Sequence, residues 1–230
     1  MVSNPFSRIA VSRAASAVAV IGLGRFGGAL AAELARSGTE VLGIDTDEDI
    51  VQAHNGVLTH VVRADATRQA TLDQLGLQEF DRVVIGIGTD IQASILTTSL
   101  LKRMGGPTIW AKAINEQHGL ILEQLAVDHV VYPEADMGRR VAHLVRGSML
   151  DYVEFDQDLV VAKTIVPDEV VGHRLDESLL RRRLGVTVVK IKADDGHWRS
   201  AAGDTVPTAG DTLIVIGPPD RTERFCALHR

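Results

Sequence analysis

The chain has 230 residues, 45% hydrophobic and 23% charged, a globular balance with length for one large or two modest domains. A formal net charge of −6 excludes the basic footprint that nucleic-acid binding requires, so no nucleic-acid partner is expected. No apolar run reaches the roughly 20 residues of a membrane helix, and Cys226, the one cysteine, has no partner for an internal disulfide, which fits a reducing compartment.

Residues 1–16 carry Arg8 and Arg13 among small residues without the apolar core of a signal peptide, and read as a flexible polar leader. From Val18 onward apolar strand-like runs alternate with helical periodicity. Strands are expected at Val18–Ile21, Val41–Asp45, His60–Arg63, Arg82–Ile87, Thr108–Ala113 and His129–Tyr132, with helices near Phe26–Arg36, Glu48–His54, Gln69–Leu75, Ile91–Met104 and Glu116–Leu125. This alternation predicts an α/β fold, a Rossmann-like doubly wound parallel sheet covered by helices on both faces. A further helix, Glu134–Leu150, mixes apolar Met137, Val141, Leu144, Val145 and Leu150 with Arg139, Arg140, His143 and Arg146, and reads as a connecting arm. Beyond Asp151 short strands at Tyr152–Phe155, Leu159–Ile165, Val186–Lys192 and Thr212–Ile216, a helical turn at Leu175–Arg183 and a last helix at Asp220–Leu228 predict a small α+β domain. Ala193–His197 reads as a turn between strands, the Arg181–Arg183 run as a solvated helix face, and Cys226 as a small apolar residue of the last helix. The expected division is a leader 1–16, a nucleotide-binding domain 17–135, a connecting helix 136–150 and a C-terminal domain 151–230.

The first strand runs into Gly22-Leu-Gly24-Arg25-Phe26-Gly27, and the second ends in Asp45. Strand, GxGxxG, helix and strand-end acid in this order place a nucleotide's phosphates on a helix N-terminus and its ribose on the acid. Gly22 permits the tight turn, Gly24 removes a side chain that would block a phosphate, and Gly27 lets helix and strand pack closely. Asp45 is suited to accept hydrogen bonds from both ribose hydroxyls and would repel a 2′-phosphate.

Arg25 between the glycines is a candidate for a distal phosphate, with a helix-surface salt bridge as its alternative. Asp65-Ala66-Thr67 follows the third strand where an adenine would lie, although Asp65 could equally cap the next helix. Gly86-Ile-Gly88-Thr89-Asp90 follows the fourth strand, its small residues admitting a ligand, with Thr89 or Asp90 available as a helix cap. Lys112 ends its strand either facing phosphates or solvated, and Glu134 opens a helix where an acid suits the dipole. HExxH, CxxC, GxSxG and Walker-type GxxxxGK[ST] patterns are absent, and the eight histidines are scattered without ligand spacing.

Together, Val20-Ile-Gly-Leu-Gly-Arg-Phe-Gly27, Asp45, Asp65-Ala-Thr67, Ile85-Gly-Ile-Gly88, Ala111-Lys112-Ala and Tyr132-Pro-Glu134 resemble the RCK (regulator of K⁺ conductance) subunits of bacterial Ktr and Trk potassium-uptake systems, the KtrA-like branch above all. Val171-Gly-His-Arg-Leu175 and Leu184–Ile191 resemble the family's C-terminal domain. The resemblance implies a non-enzymatic regulator that binds ATP or ADP, in homodimers assembled into an octameric ring. The ring would dock on the cytoplasmic face of a KtrB/TrkH-like membrane K⁺ transporter subunit. It also implies that Gly22, Gly24, Arg25, Phe26, Gly27, Asp45, Asp65, Ala66, Gly88 and Lys112 surround the nucleotide. Arg25 then meets the terminal phosphate, and Glu134 places a cation, Mg²⁺, Ca²⁺ or Na⁺, beside ATP. Some relatives bind cyclic di-AMP in the C-terminal domain. The alternative from another class is an NAD(H)-binding redox sensor or NAD-dependent oxidoreductase, since the glycines and Asp45 accept NAD as readily. A chain with one copy of this unit favours the Ktr type over Trk subunits with two.

Overall fold

The computed structural model describes residues 17–146, 149–176, 185–193 and 195–229. The leader 1–16, the arginine run 181–183 and most of the helical turn expected at Leu175–Arg183 lie outside the described residues. The chain divides into two compact units at Glu134/Ala135.

The first unit is built on six strands, β1 (Val18–Ile21), β2 (Val41–Asp45), β3 (His60–Arg63), β4 (Arg82–Ile85), β5 (Thr108–Lys112) and β6 (His129–Val131). Their order is β3-β2-β1-β4-β5-β6, every pair parallel. The order reverses between β1 and β4, the switch point at which such sheets open a crevice beyond their strand ends. Helices α1 (Arg25–Arg36), α2 (Glu48–His54), α3 (Gln69–Gln74), α4 (Ile91–Met104) and α5 (Glu116–Gln124) supply the crossovers.

β1 is an unbroken apolar run because both of its faces are covered. Val18 and Val20 pack with Leu30, Ala31 and Leu34 of α1 on one face. Ala19 and Ile21 join Leu72 of α3, Leu101 of α4 and Leu122 of α5 on the other. Where β1, β4 and α1 converge, the main chains touch. A Cβ on Gly27 would overlap the Gly22 carbonyl, and one on Gly86 would lie 2.8 Å from the same oxygen. Gly22 itself turns with φ +87°.

Helix α6 (Pro133–Val145) begins one residue before the expected start and stops well before Leu150. The expected end was too late because the Leu150 amide donates to the Lys163 carbonyl (2.7 Å), which commits that residue to sheet pairing, while Met149 is buried in the second core. β4 and β5 likewise end earlier than expected, at Ile85 and Lys112.

The second unit is an antiparallel sheet of β7 (Asp151–Asp156), β8 (Leu159–Ile165), β9 (Thr187–Lys192), β10 (Trp198–Ser200) and β11 (Thr212–Gly217), in the order β10-β9-β11-β8-β7. Alternate residues Val160 and Ala162 of β8 and Leu213 and Val215 of β11 face one core. Helix α7 (Pro219–Cys226) closes it with Phe225 and Cys226, both fully buried. Short β10 and the 3-10 turns Leu77–Glu79 and Asp168–Val170 are too brief to show a sequence period.

Two outcomes follow from this packing. Gly27→Ala should destabilise the first unit by about 3 kcal/mol, the cost of forcing extra volume against backbone, read by urea denaturation. Burial pushes the Cys226 thiol up to about 11, so a disulfide reagent at pH 8 should label it only on unfolding, at a rate set by opening rather than by reagent concentration.

Candidate functional site

A cleft of about 820 Å³ opens above the C-terminal ends of β1, β2, β4 and β5. Its lining brings together Gly22, Gly24, Arg25, Phe26, Asp45, Asp65, Ala66, Gly88, Lys112 and Glu134. Gly27 stands behind this surface, spending its missing side chain on the Gly22 contact. Gly24 differs: a Cβ there meets nothing within 4 Å on the protein side, so what the glycine keeps clear is the cleft. It precedes α1 with φ −60° and ψ −166°, and the first amides of α1, which have no partners within the helix, begin at this edge.

Asp45 has a structural task that the sequence did not reveal. Its Oδ2 accepts from the Leu23 amide (2.7 Å) and its Oδ1 from the Asp47 amide (3.0 Å), so the carboxylate clamps the glycine turn to the end of β2. Each carboxylate oxygen keeps a further lone pair, on a residue that lines the cleft. Asp47 in turn caps α2 through the amides of Asp49 and Ile50.

Asp65 does not cap α3, which starts after Arg68 with no side-chain cap. Its carboxylate instead organises the loop, accepting from the Thr67 hydroxyl (2.6 Å), the Thr67 amide and Arg68 Nε. The Thr67 hydroxyl bond is the largest influence holding the Asp65 carboxyl below its ordinary value. The cap of α4 falls to Asp90, which accepts from the Ala93 amide at 2.9 Å. Arg25 is exposed at the cleft, and among the described residues no salt bridge engages it.

Lys112 is not a solvated strand end: it is only 8% exposed. Its Nζ donates to Glu134 Oε1 at 2.5 Å and sits 5.8 Å from the centre of the Phe26 ring, within cation-π range. Gly88 makes room for it, since a Cβ there would come within 3.0 Å of Nζ. The Lys112 hydrogen bond is the chief reason the Glu134 carboxyl lies below its usual range. Phe26, Gly88, Lys112 and Glu134, far apart in sequence, thus form one inner corner. The wall contributed by Ala93 and Thr97 of α4 and by Ile114 was not legible beforehand. Only the small residues after β4 hinted at it.

Among the described residues no group of three or more His, Cys, Asp or Glu side chains is placed to hold a metal ion. Glu134 alone offers one carboxylate, which suits a cation only if phosphate oxygens complete the shell. No described helix is long and apolar enough to cross a membrane.

Residues 18–133 match the TrkA-N domain and residues 159–230 the TrkA-C domain. The chain is 39% identical to Ktr system potassium uptake protein C of Bacillus subtilis, over 90% of this chain and 94% of that one. It is 36% identical to Ktr system potassium uptake protein A of the same organism, with the same coverage, and 35% to that of Vibrio alginolyticus, over 88% and 93%. Among solved structures, the GsuK RCK domain superposes with a TM-score of 0.63 and the GsuK channel bound to NAD with 0.64, each at 15% identity. Both cover 94% of this chain, which spans 48% and 40% of theirs. At that identity the likeness concerns the fold.

The Asp45 clamp has a measurable worth. Asp45→Asn leaves one acceptor for two amides, one of them on buried Leu23, and should lower stability by about 2 kcal/mol in thermal unfolding.

Proposed function

From the premise that the chain belongs to the Ktr potassium-uptake family, with a TrkA-N domain followed by a TrkA-C domain, we propose that it is a nucleotide-sensing regulatory subunit that gates a membrane K⁺ transporter through ATP and ADP. The observation that carries this reading is the inner corner of the cleft, where a buried ammonium stands beside Phe26 of the glycine turn. In the proposed pose the first amides of α1 hold the inner phosphates and Asp45 holds the ribose, while the Asp65–Thr67 loop flanks the adenine. Lys112 and Arg25 are the cations left for the distal phosphates. Glu134 would hold a divalent cation jointly with phosphate oxygens, the cation supplying charge neutralisation between phosphates.

Such a subunit requires no chemical step. Binding two nucleotides that differ by one phosphate is sufficient, provided the two conformations differ in affinity for them. The proposed setting is the cytoplasmic face of the membrane, in a ring of homodimers docked on the transporter subunit. The second reading, an NAD(H)-binding redox sensor or oxidoreductase, places the same adenosine half on Asp45 and a nicotinamide toward α4.

Calorimetric titration of nucleotide-stripped protein with ATP, ADP and NADH, each with and without Mg²⁺, separates the two. ATP and ADP should bind in the micromolar range or tighter, with Mg²⁺ affecting ATP the more; preferential NADH binding would overturn the assignment. Gly24→Ala should leave the unfolding midpoint in place and weaken ATP and ADP at least tenfold, because its methyl group enters the cleft alone.

A further inference from the structure

Lys112 brings a nearly buried ammonium to the inner corner, and a buried charge of this kind requires a counter-charge. In this structure Glu134 Oε1 supplies it. The two partners are unequal: the Lys112 side chain is 10% exposed and the Glu134 side chain 61% exposed. Lys112 is confined by the Phe26 ring and by Gly88, whereas Glu134 lies in the first turn of α6 with solvent beside it. Glu134 is therefore the member free to leave. A carboxylate also remains favoured at that position without Lys112, because the N-terminal end of the helix and the Arg25 charge both act on it.

Resting on the nucleotide reading above, we infer that Glu134 is a built-in competitor for the phosphate subsite: its carboxylate occupies the Lys112 ammonium that a distal phosphate takes, and is released from it when the phosphate binds. Two anions crowded on one ammonium repel, so the arrangement is an exchange rather than a shared site. The exchange sets an order. Glu134 is engaged by Lys112 until a phosphate displaces it, and only then is its carboxylate available to a cation. Glu134 therefore opposes nucleotide when metal is absent and supports it when metal is present. The released residue also opens α6, so phosphate occupancy at Lys112 is reported directly to the first turn of that helix.

The test is a double-mutant cycle read by ATP calorimetry in EDTA, where no cation contributes. Glu134→Gln should tighten metal-free ATP about fivefold in the otherwise native protein, the worth of an ion pair with one buried partner. In a Lys112→Met background the same change should move affinity less than twofold. Glu134→Asp keeps the charge but is too short to reach Nζ, and should tighten ATP as Glu134→Gln does, which requires no Lys112 variant. Tightening by Gln but not by Asp, or equal tightening in both backgrounds, would mean simple charge repulsion and overturn the exchange. No tightening at all overturns it too. Failure of the native protein to bind ATP overturns the nucleotide reading and the exchange with it, whereas binding without coupling removes the exchange alone.

Discussion

The first unit depends on main chain touching main chain where β1, β4 and α1 converge. Gly22 carries the turn at positive φ, and its carbonyl oxygen fills the space that side chains on Gly27 and Gly86 would need. This contact draws α1 down onto the sheet at the switch point. It also leaves the helix's first amides at the end of the strands rather than over their faces. The cleft exists because three glycines allow the backbone to close below it, and Gly24, which contacts nothing, is the one glycine kept for the opening.

Charges then finish what the backbone begins. Asp45 and Lys112 stand on β2 and β5, on either side of the switch point, and each is engaged before any ligand is considered. Asp45 gives one oxygen to the Leu23 amide of the glycine turn and the other to the Asp47 amide after β2, which preorganises the loop that a phosphate would meet. Lys112 is held by Glu134 and the Phe26 ring. The acid is held by two backbone amides, and the cation is balanced by a single, largely exposed carboxylate.

The sheet and the binding corner differed in how much of them the sequence disclosed. Parallel strands buried on both faces write themselves as short continuous apolar runs, so β1 and β2 have the expected bounds. Strand ends that lead into the cleft are less visible, since Gly86 and Ala113 read as continuations until the turn is seen. The connecting helix was overextended because Met149 and Leu150 keep a helical period while their backbone is claimed by the second sheet. For the site, residue types and spacing were sufficient to nominate Asp45 and Lys112 individually, whereas Glu134 was singled out only through the family resemblance. They did not disclose that Lys112 and Glu134 are partners, because contact between positions 22 residues apart is a product of sheet order. Nor did spacing disclose the clamp by Asp45, since strand-end acids look alike whether they bind a ribose or an amide.

A regulator of this design must translate a small difference between ligands into a difference between conformations. On the proposed reading adenosine would not provide it, because ATP and ADP would present the same ribose and base to Asp45 and the Asp65–Thr67 loop. The discriminating group would then be the last phosphate, and the cleft residues proposed to respond to it are Arg25, Lys112 and Glu134. Of these, Glu134 alone stands in the first turn of a helix that continues into the second unit. A phosphate that takes Lys112 changes what that turn is bonded to without altering the fold around it. The free energy for conformational bias is then the difference between two ion pairs, of the order of 1 kcal/mol, which lies at the lower end of typical coupling energies between sites. A subunit acting singly would respond weakly to so small a term. The same term repeated in each subunit of a symmetric assembly adds, and the response sharpens with the number of copies.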